Sequence, residues 1–165
     1  MKKWGERKTL LIVGEGLHDE AFLQHVKRGL VERGCGLEVA IKNARGKGAK
    51  NVVEYTIRHS KNAQYDNKAA MVDSDTDFDE KIVALAKRNK ITLIVAEPCF
   101  EALLLRAIGE RPGEPKQLKK QFAPFVNNDP TNSKNYERHF GVRSLLKVQE
   151  EALVRLLELF PALKE

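Results

Sequence analysis

The sequence predicts an α/β protein: a mostly parallel four-stranded sheet in the order 2-1-3-4, helices on both faces, and a C-terminal helical extension. Three observations predict it. Four short apolar runs lie at residues 8–13, 37–42, 68–73 and 91–96. Each is followed by a segment with helical periodicity, the alternation that builds a covered parallel sheet. The first, third and fourth runs end in carboxylates, and ligands of open α/β sheets bind beyond the carboxyl ends of the strands. For acids after strands 1 and 3 to meet, those strands must be neighbours, which gives the order 2-1-3-4.

The elements follow in turn. Lys8 to Val13 is a buried strand, stopped by Gly14. His18 to Arg33 is a helix with Phe22, Leu23, Val26 and Leu30 on one side, Asp19 and Glu20 in its first turn, and Gly34 and Gly36 after it. Leu37 to Lys42 alternates as a second strand. Gly46 and Gly48 mark a loop, and Asn51 is placed to cap a helix running to about His59. Lys68 to Asp73 is the third strand, Phe78 to Asn89 the third helix, and Ile91 to Ala96 the fourth strand. Pro98 suits the first turn of a helix that reaches about Ile108. These elements make residues 1–108 the core. Residues 109–165 hold an irregular, proline-containing excursion followed by a helix over Tyr136 to Phe160. In that helix Leu145, Leu146, Val148, Leu153, Leu156, Leu157 and Leu159 pack back on the same domain.

The chain has 165 residues, 42% hydrophobic and 32% charged. That composition excludes intrinsic disorder and fits one domain with a real core. No apolar run approaches the roughly 18 residues of a membrane span. The apolar run after the basic start is too short for a signal peptide. Cys35 and Cys99 are far apart and form no zinc spacing, so a reducing cytoplasm is the expected home.

Charge is unevenly placed. Residues 73–80, Asp-Ser-Asp-Thr-Asp-Phe-Asp-Glu, hold five acids and no base, so the formal +6 divides into −5 there and +11 elsewhere. Asp73, Asp75 and Asp77 alternate and can point the same way from an extended segment. Like charges brought together need a counter-cation, and hard oxygen donors suit magnesium or manganese. For Asp77, Asp79 and Glu80, capping or dipole roles at the third helix are the better reading. A calcium loop is disfavoured because Phe78 stands where that loop needs glycine. Gly14–Asp19 lacks the third glycine of a dinucleotide fingerprint. Asp73-Ser74-Asp75-Thr76 approaches the aspartyl phosphotransfer pattern, with threonine one residue early.

These residues carry a resemblance. Val13-Gly14-Glu15-Gly16-Leu17-His18-Asp19 resembles the first motif of TOPRIM domains, and Met71-Val72-Asp73-Ser74-Asp75 resembles their DxD motif. Glu97-Pro98-Cys99-Phe100-Glu101 is similar to a segment of the RloB-like branch, related to OLD-type nucleases, with Glu97 where that segment has asparagine. Gly46-Lys47-Gly48 and Ser133-Lys134-Asn135-Tyr136 are weaker signatures of the same branch. The resemblance implies a TOPRIM-like fold and a divalent-metal phosphotransfer centre using Mg2+ or Mn2+. Glu15, Asp73 and Asp75 match its metal-binding carboxylates, Asp19 its second acid and Glu101 a further acid. It implies a nuclease-like role in restriction or phage defence, with a partner such as an ATPase. The alternative is a non-catalytic metal- or nucleic-acid-binding module.

Cations flank these acids. Residues 38–61 carry +4 and residues 110–143 carry +3. Arg45, Lys47, Lys50, Lys119 and Lys120 are the candidate nucleic-acid contacts. Lys134 is a candidate to stabilise charge near the metals. His18 reads as a surface helix residue. Trp4 and Tyr136 have the chemistry to stack on bases, though packing is the better reading.

Overall fold

The computed structural model describes residues 7–32 and 35–160. Four strands, β1 (Lys8–Gly14), β2 (Leu37–Asn43), β3 (Asn67–Asp73) and β4 (Ile91–Ala96), form one sheet. Its order is β2-β1-β3-β4 and every pairing is parallel. The registers bring the carboxyl ends level within each outer pair, while β3 runs on past β1, whose Val13 pairs with Ala70. Gly14 lies opposite Asn43, and Asp73 opposite Ala96.

The connections are α1 (Leu17–Leu30), α2 (Gly48–Asn62) and α3 (Glu80–Arg88). After β4 come α4 (Phe100–Ala107), α5 (Leu118–Phe122), α6 (Val142–Leu145) and α7 (Glu151–Glu158), with one 3-10 turn between α4 and α5 and two between α5 and α6. The central strands are apolar on both sides because both faces are covered. Leu10 and Ile12 join one cluster with residues of α1, α4, α5 and α7, while Leu11 and Val13 join another with residues of α2 and α3. All four side chains are fully buried, and each such side chain contributes about 1.5–3 kcal/mol.

The excursion after α4 is seated on the first cluster by aromatic rings. Phe122, Tyr136 and Phe140 pack on one another, and Tyr136 packs edge-on to Phe22 and Phe100. Tyr136 is fully buried and its hydroxyl donates to the Pro130 carbonyl at 2.7 Å, so packing is its role. The buried His25 bonds the Phe140 carbonyl through Nε2 at 2.7 Å. A carbonyl can only accept, so Nε2 carries the proton of this bond, and burial pushes the imidazole below its ordinary range.

Several local expectations are corrected. Asn51 lies inside α2, not at its start, and donates to the carbonyls of Ala44 and Gly46. That tie closes the loop, and α2 begins four residues earlier, at Gly48 with Lys47 in the cap position. The third helix starts at Glu80 rather than Phe78, with Asp79 as its cap. Pro98 stands before α4, which begins at Phe100, and the Glu97–Pro98 bond is cis. The helix expected over Tyr136 to Phe160 is two short helices, and Gly141 caps the first of them. Leu146 is 46% exposed rather than packed. The first helix ends at Leu30, and Trp4, Arg33 and Gly34 lie outside the described residues. No helix among the described residues is long and apolar enough to cross a membrane.

Candidate functional site

Three chain segments leave the sheet at one end, and each delivers acid. Glu15 follows β1 and Asp19 sits in the first turn of α1. Asp73 ends β3, with Asp75 two residues on. Glu101 occupies the first turn of α4. All five line one cavity of about 480 Å3, together with His18, Gly46, Phe100, Leu118 and Lys119.

Local bonds hold these segments in place. The Ser74 and Asp75 amides donate to the carbonyls of Ala96 and Pro98, which zips the β3 exit to the β4 exit. The Phe100 amide donates to Asp73 Oδ1 at 3.0 Å. On the other side, the Ala44 and Gly46 amides donate to the carbonyls of Gly14 and Glu15. Asp19 turns back onto the Gly16 amide at 3.3 Å. A Cβ on Gly14 would stand 2.6 Å from the Asp19 Cβ, so glycine at this position is what lets β1 pass beside that acid.

The electrostatics are uncompensated. Burial, then the neighbouring Asp19, Glu15, Glu101 and Asp75, push Asp73 up to about 8. Burial also takes Asp19 to about 7, against the pull of the Gly16 N–H. Glu15 is raised by burial and by Asp75 and Asp77, with the Gly48 N–H opposing. Asp19 Oδ2 and Glu15 Oε2 are buried with no hydrogen-bond partner. Such orphaned carboxylate oxygens are costly without a cation or a proton. Glu101 goes the other way. Burial raises it, but His18, with Nδ1 3.8 Å from Oε1, and Lys119 bring it below its ordinary value. Cys99 is pushed up to about 11 by burial, so it is a neutral thiol rather than a nucleophile at neutral pH.

The donor set therefore fits a hard divalent cation in chemistry: clustered carboxylates, two of them with free buried oxygens. As placed, no three His, Cys, Asp or Glu side chains among the described residues stand ready to hold an ion. Side-chain rotation toward a common point is needed to complete a cage.

The candidate cations divide. Lys119 lines the cavity. Arg45, Lys47 and Lys50 are exposed on the loop beside Gly46 and the start of α2, outside the lining. Lys120 is exposed next to Lys119, and Lys134 is exposed on the 3-10 turn Ser133–Tyr136; neither lines the cavity. Sequence reasoning missed the placement of His18 against Glu101. The available signal was its position three residues after Glu15, in the first turn of the helix that follows that acid. Lys119 was legible only as a cation. Its neighbours Leu118 and Phe122, both buried, are what anchor its short helix over the site.

No family model, curated protein or solved structure matches the chain.

Proposed function

We propose that this chain is a divalent-metal-dependent, nuclease-like protein of TOPRIM type that acts on nucleic-acid phosphodiesters. The observation that carries the reading is the meeting of Glu15, Asp19, Asp73, Asp75 and Glu101 in one cavity, with two buried oxygens unpartnered. Glu15, Asp73 and Asp75, with Asp19 behind them, would hold Mg2+ or Mn2+. A bound ion supplies Lewis-acid charge to a phosphodiester. Lys119 meets the incoming phosphate, and the exposed Arg45, Lys47 and Lys50 extend the basic surface along a polyanion. A role in restriction or phage defence, beside an ATPase partner, is the setting that the RloB-like resemblance suggests.

The test is cleavage of plasmid DNA, single strands and RNA with manganese. Wild type cuts at least one of them, and Asp73→Ala lowers the rate at least about 100-fold. Intact substrates throughout, or an Asp73→Ala variant as active as wild type, overturn the reading. A second reading, a non-catalytic binding module, is favoured by the lack, among the described residues, of three side chains already poised to hold an ion. It predicts salt-dependent binding of nucleic acid without turnover.

A further inference from the structure

Among the described residues, the most exposed large apolar side chain has no place in the core. Leu17 is 61% exposed, more than Val83, Leu146 or Val154, and it belongs to neither apolar cluster. It opens α1, where it buries nothing for the fold. A lone exposed leucine is ordinary on a protein surface. Leu17, however, lines the acidic cavity, and so does Pro115, which is exposed on the 3-10 turn Pro115–Gln117. Two apolar groups from separate segments thus stand beside carboxylates. The acids themselves are recessed. Asp19 and Glu101 are only 6% and 7% exposed, and Asp19 Oδ2 is buried without a partner.

Recess and apolar rim together select a substrate. A cavity of about 480 Å3 is of the size that encloses one small ligand, so a phosphate reaches the buried acids when a nucleotide turns in. A duplex resists this. Its base faces are stacked inside, and it shows the solvent phosphates and polar base edges, which give Leu17 and Pro115 nothing to cover. An unpaired strand has free base faces, and apolar or aromatic side chains take them wherever the stack is open. Lys119, exposed in the same lining, supplies the cation for the backbone. On the reading above that this cavity takes a phosphodiester, we infer that its substrate is an unpaired nucleic-acid strand, and that Leu17 with Pro115 holds a base beside the phosphate the acids engage.

The test is binding, read apart from cleavage by using calcium in place of manganese. The full chain is titrated into labelled DNA and RNA of about 16 nucleotides, each as a single strand and as a blunt duplex. At least one single strand binds at least about tenfold tighter than its duplex. Leu17→Ala weakens single-strand binding at least about fivefold, the loss of one base contact, and leaves duplex binding unchanged. Leu17→Tyr, which offers a ring to the same base, restores the affinity. Pro115→Ser, on a different segment, acts in the same direction as Leu17→Ala, so a folding defect in one variant does not decide the matter. Duplexes bound as tightly as their single strands, or single strands bound equally by wild type and both truncated variants, overturn the inference without touching the proposed cleavage. A single-strand preference that depends on Leu17, with every substrate left intact in manganese, supports the inference and overturns the cleavage instead. No binding to any strand overturns both.

Discussion

Asp73 and Asp77 stand four residues apart in one acidic run, yet their surroundings differ in kind. Asp73 ends a buried strand and faces Asp19, Glu15, Glu101 and Asp75, with a single amide, that of Phe100, for relief. Asp77 lies on the exposed loop and accepts from the Ala49 amide at 2.7 Å and, more weakly, the Lys50 amide at 3.4 Å. It therefore caps α2 from a distance of 28 residues in sequence. Asp79, two residues on, caps α3 through the Ile82 amide. The loop acids are matched to helix N-termini, where negative charge is stabilising. The rim acids are mostly matched to each other, which is destabilising until a cation or a proton arrives. One run thus divides into carboxylates that hold the fold and carboxylates that wait for a ligand.

The largest expected effect tests the rim half of that contrast. Asp73 is raised from 3.8 to about 8, and Asp19 from 3.8 to about 7. In metal-free protein the folded state therefore binds more protons than the unfolded chain between about pH 4 and 8. Stability is highest at the acid end of this window and falls as pH rises through it. The loss is on the order of a few kcal/mol. Denaturant melts at stepped pH should show this slope, and Asp73→Asn should flatten it. Manganese should raise the melting temperature more at pH 8 than at pH 5. A flat profile in wild type would show that the rim charges are relieved in some other way.

The loop half is tested by removing its caps. Asp77→Ala leaves the first amides of α2 unpartnered and is expected to cost about 1–2 kcal/mol. Asp79→Ala is expected to cost about 1 kcal/mol. Asp79→Ala should leave the pH slope of the rim unchanged, and Asp77→Ala should change it only through Glu15, which Asp77 helps to raise, leaving the larger share from Asp73 and Asp19 in place. If Asp77→Ala instead weakens manganese binding by the factor seen for Asp73→Asn, the division between structural and ligand-directed acids fails.

The sheet was legible in the sequence because four apolar runs with helical segments between them admit few topologies. The meeting of Glu15 with Asp73 was the premise from which the strand order 2-1-3-4 was drawn, and that order is the one observed. The capping partners were not legible. Asp77 serves a helix that precedes it by a strand, and local spacing carries no signal for a bond across 28 residues. Gly14 read as the stop of the first strand, but a side chain there would begin 2.6 Å from the Asp19 Cβ, a contact that local spacing does not announce. The continuous C-terminal helix was overread because apolar residues continue through Leu146 and Val148, in the non-helical stretch between α6, which ends at Leu145, and α7, which begins at Glu151.

The smallest effect concerns Lys119, the one lysine in the lining of the acidic cavity. Its side chain is exposed, while Leu118 and Phe122 beside it bury the apolar side of the same helix. Removing the ammonium leaves that packing in place, so Lys119→Ala should change stability by no more than about 0.5 kcal/mol. Its effect belongs to binding. A lysine that meets one phosphate contributes about one to the slope of log affinity against log salt. Fluorescence titration of a labelled oligonucleotide over a salt series should show that slope falling by about one in Lys119→Ala and by nothing in Lys134→Ala. The difference follows from placement: Lys134 is also exposed, but on a turn that does not line the cavity. An equal fall in both variants would mean that nucleic acid tracks the outer surface and does not enter the cavity.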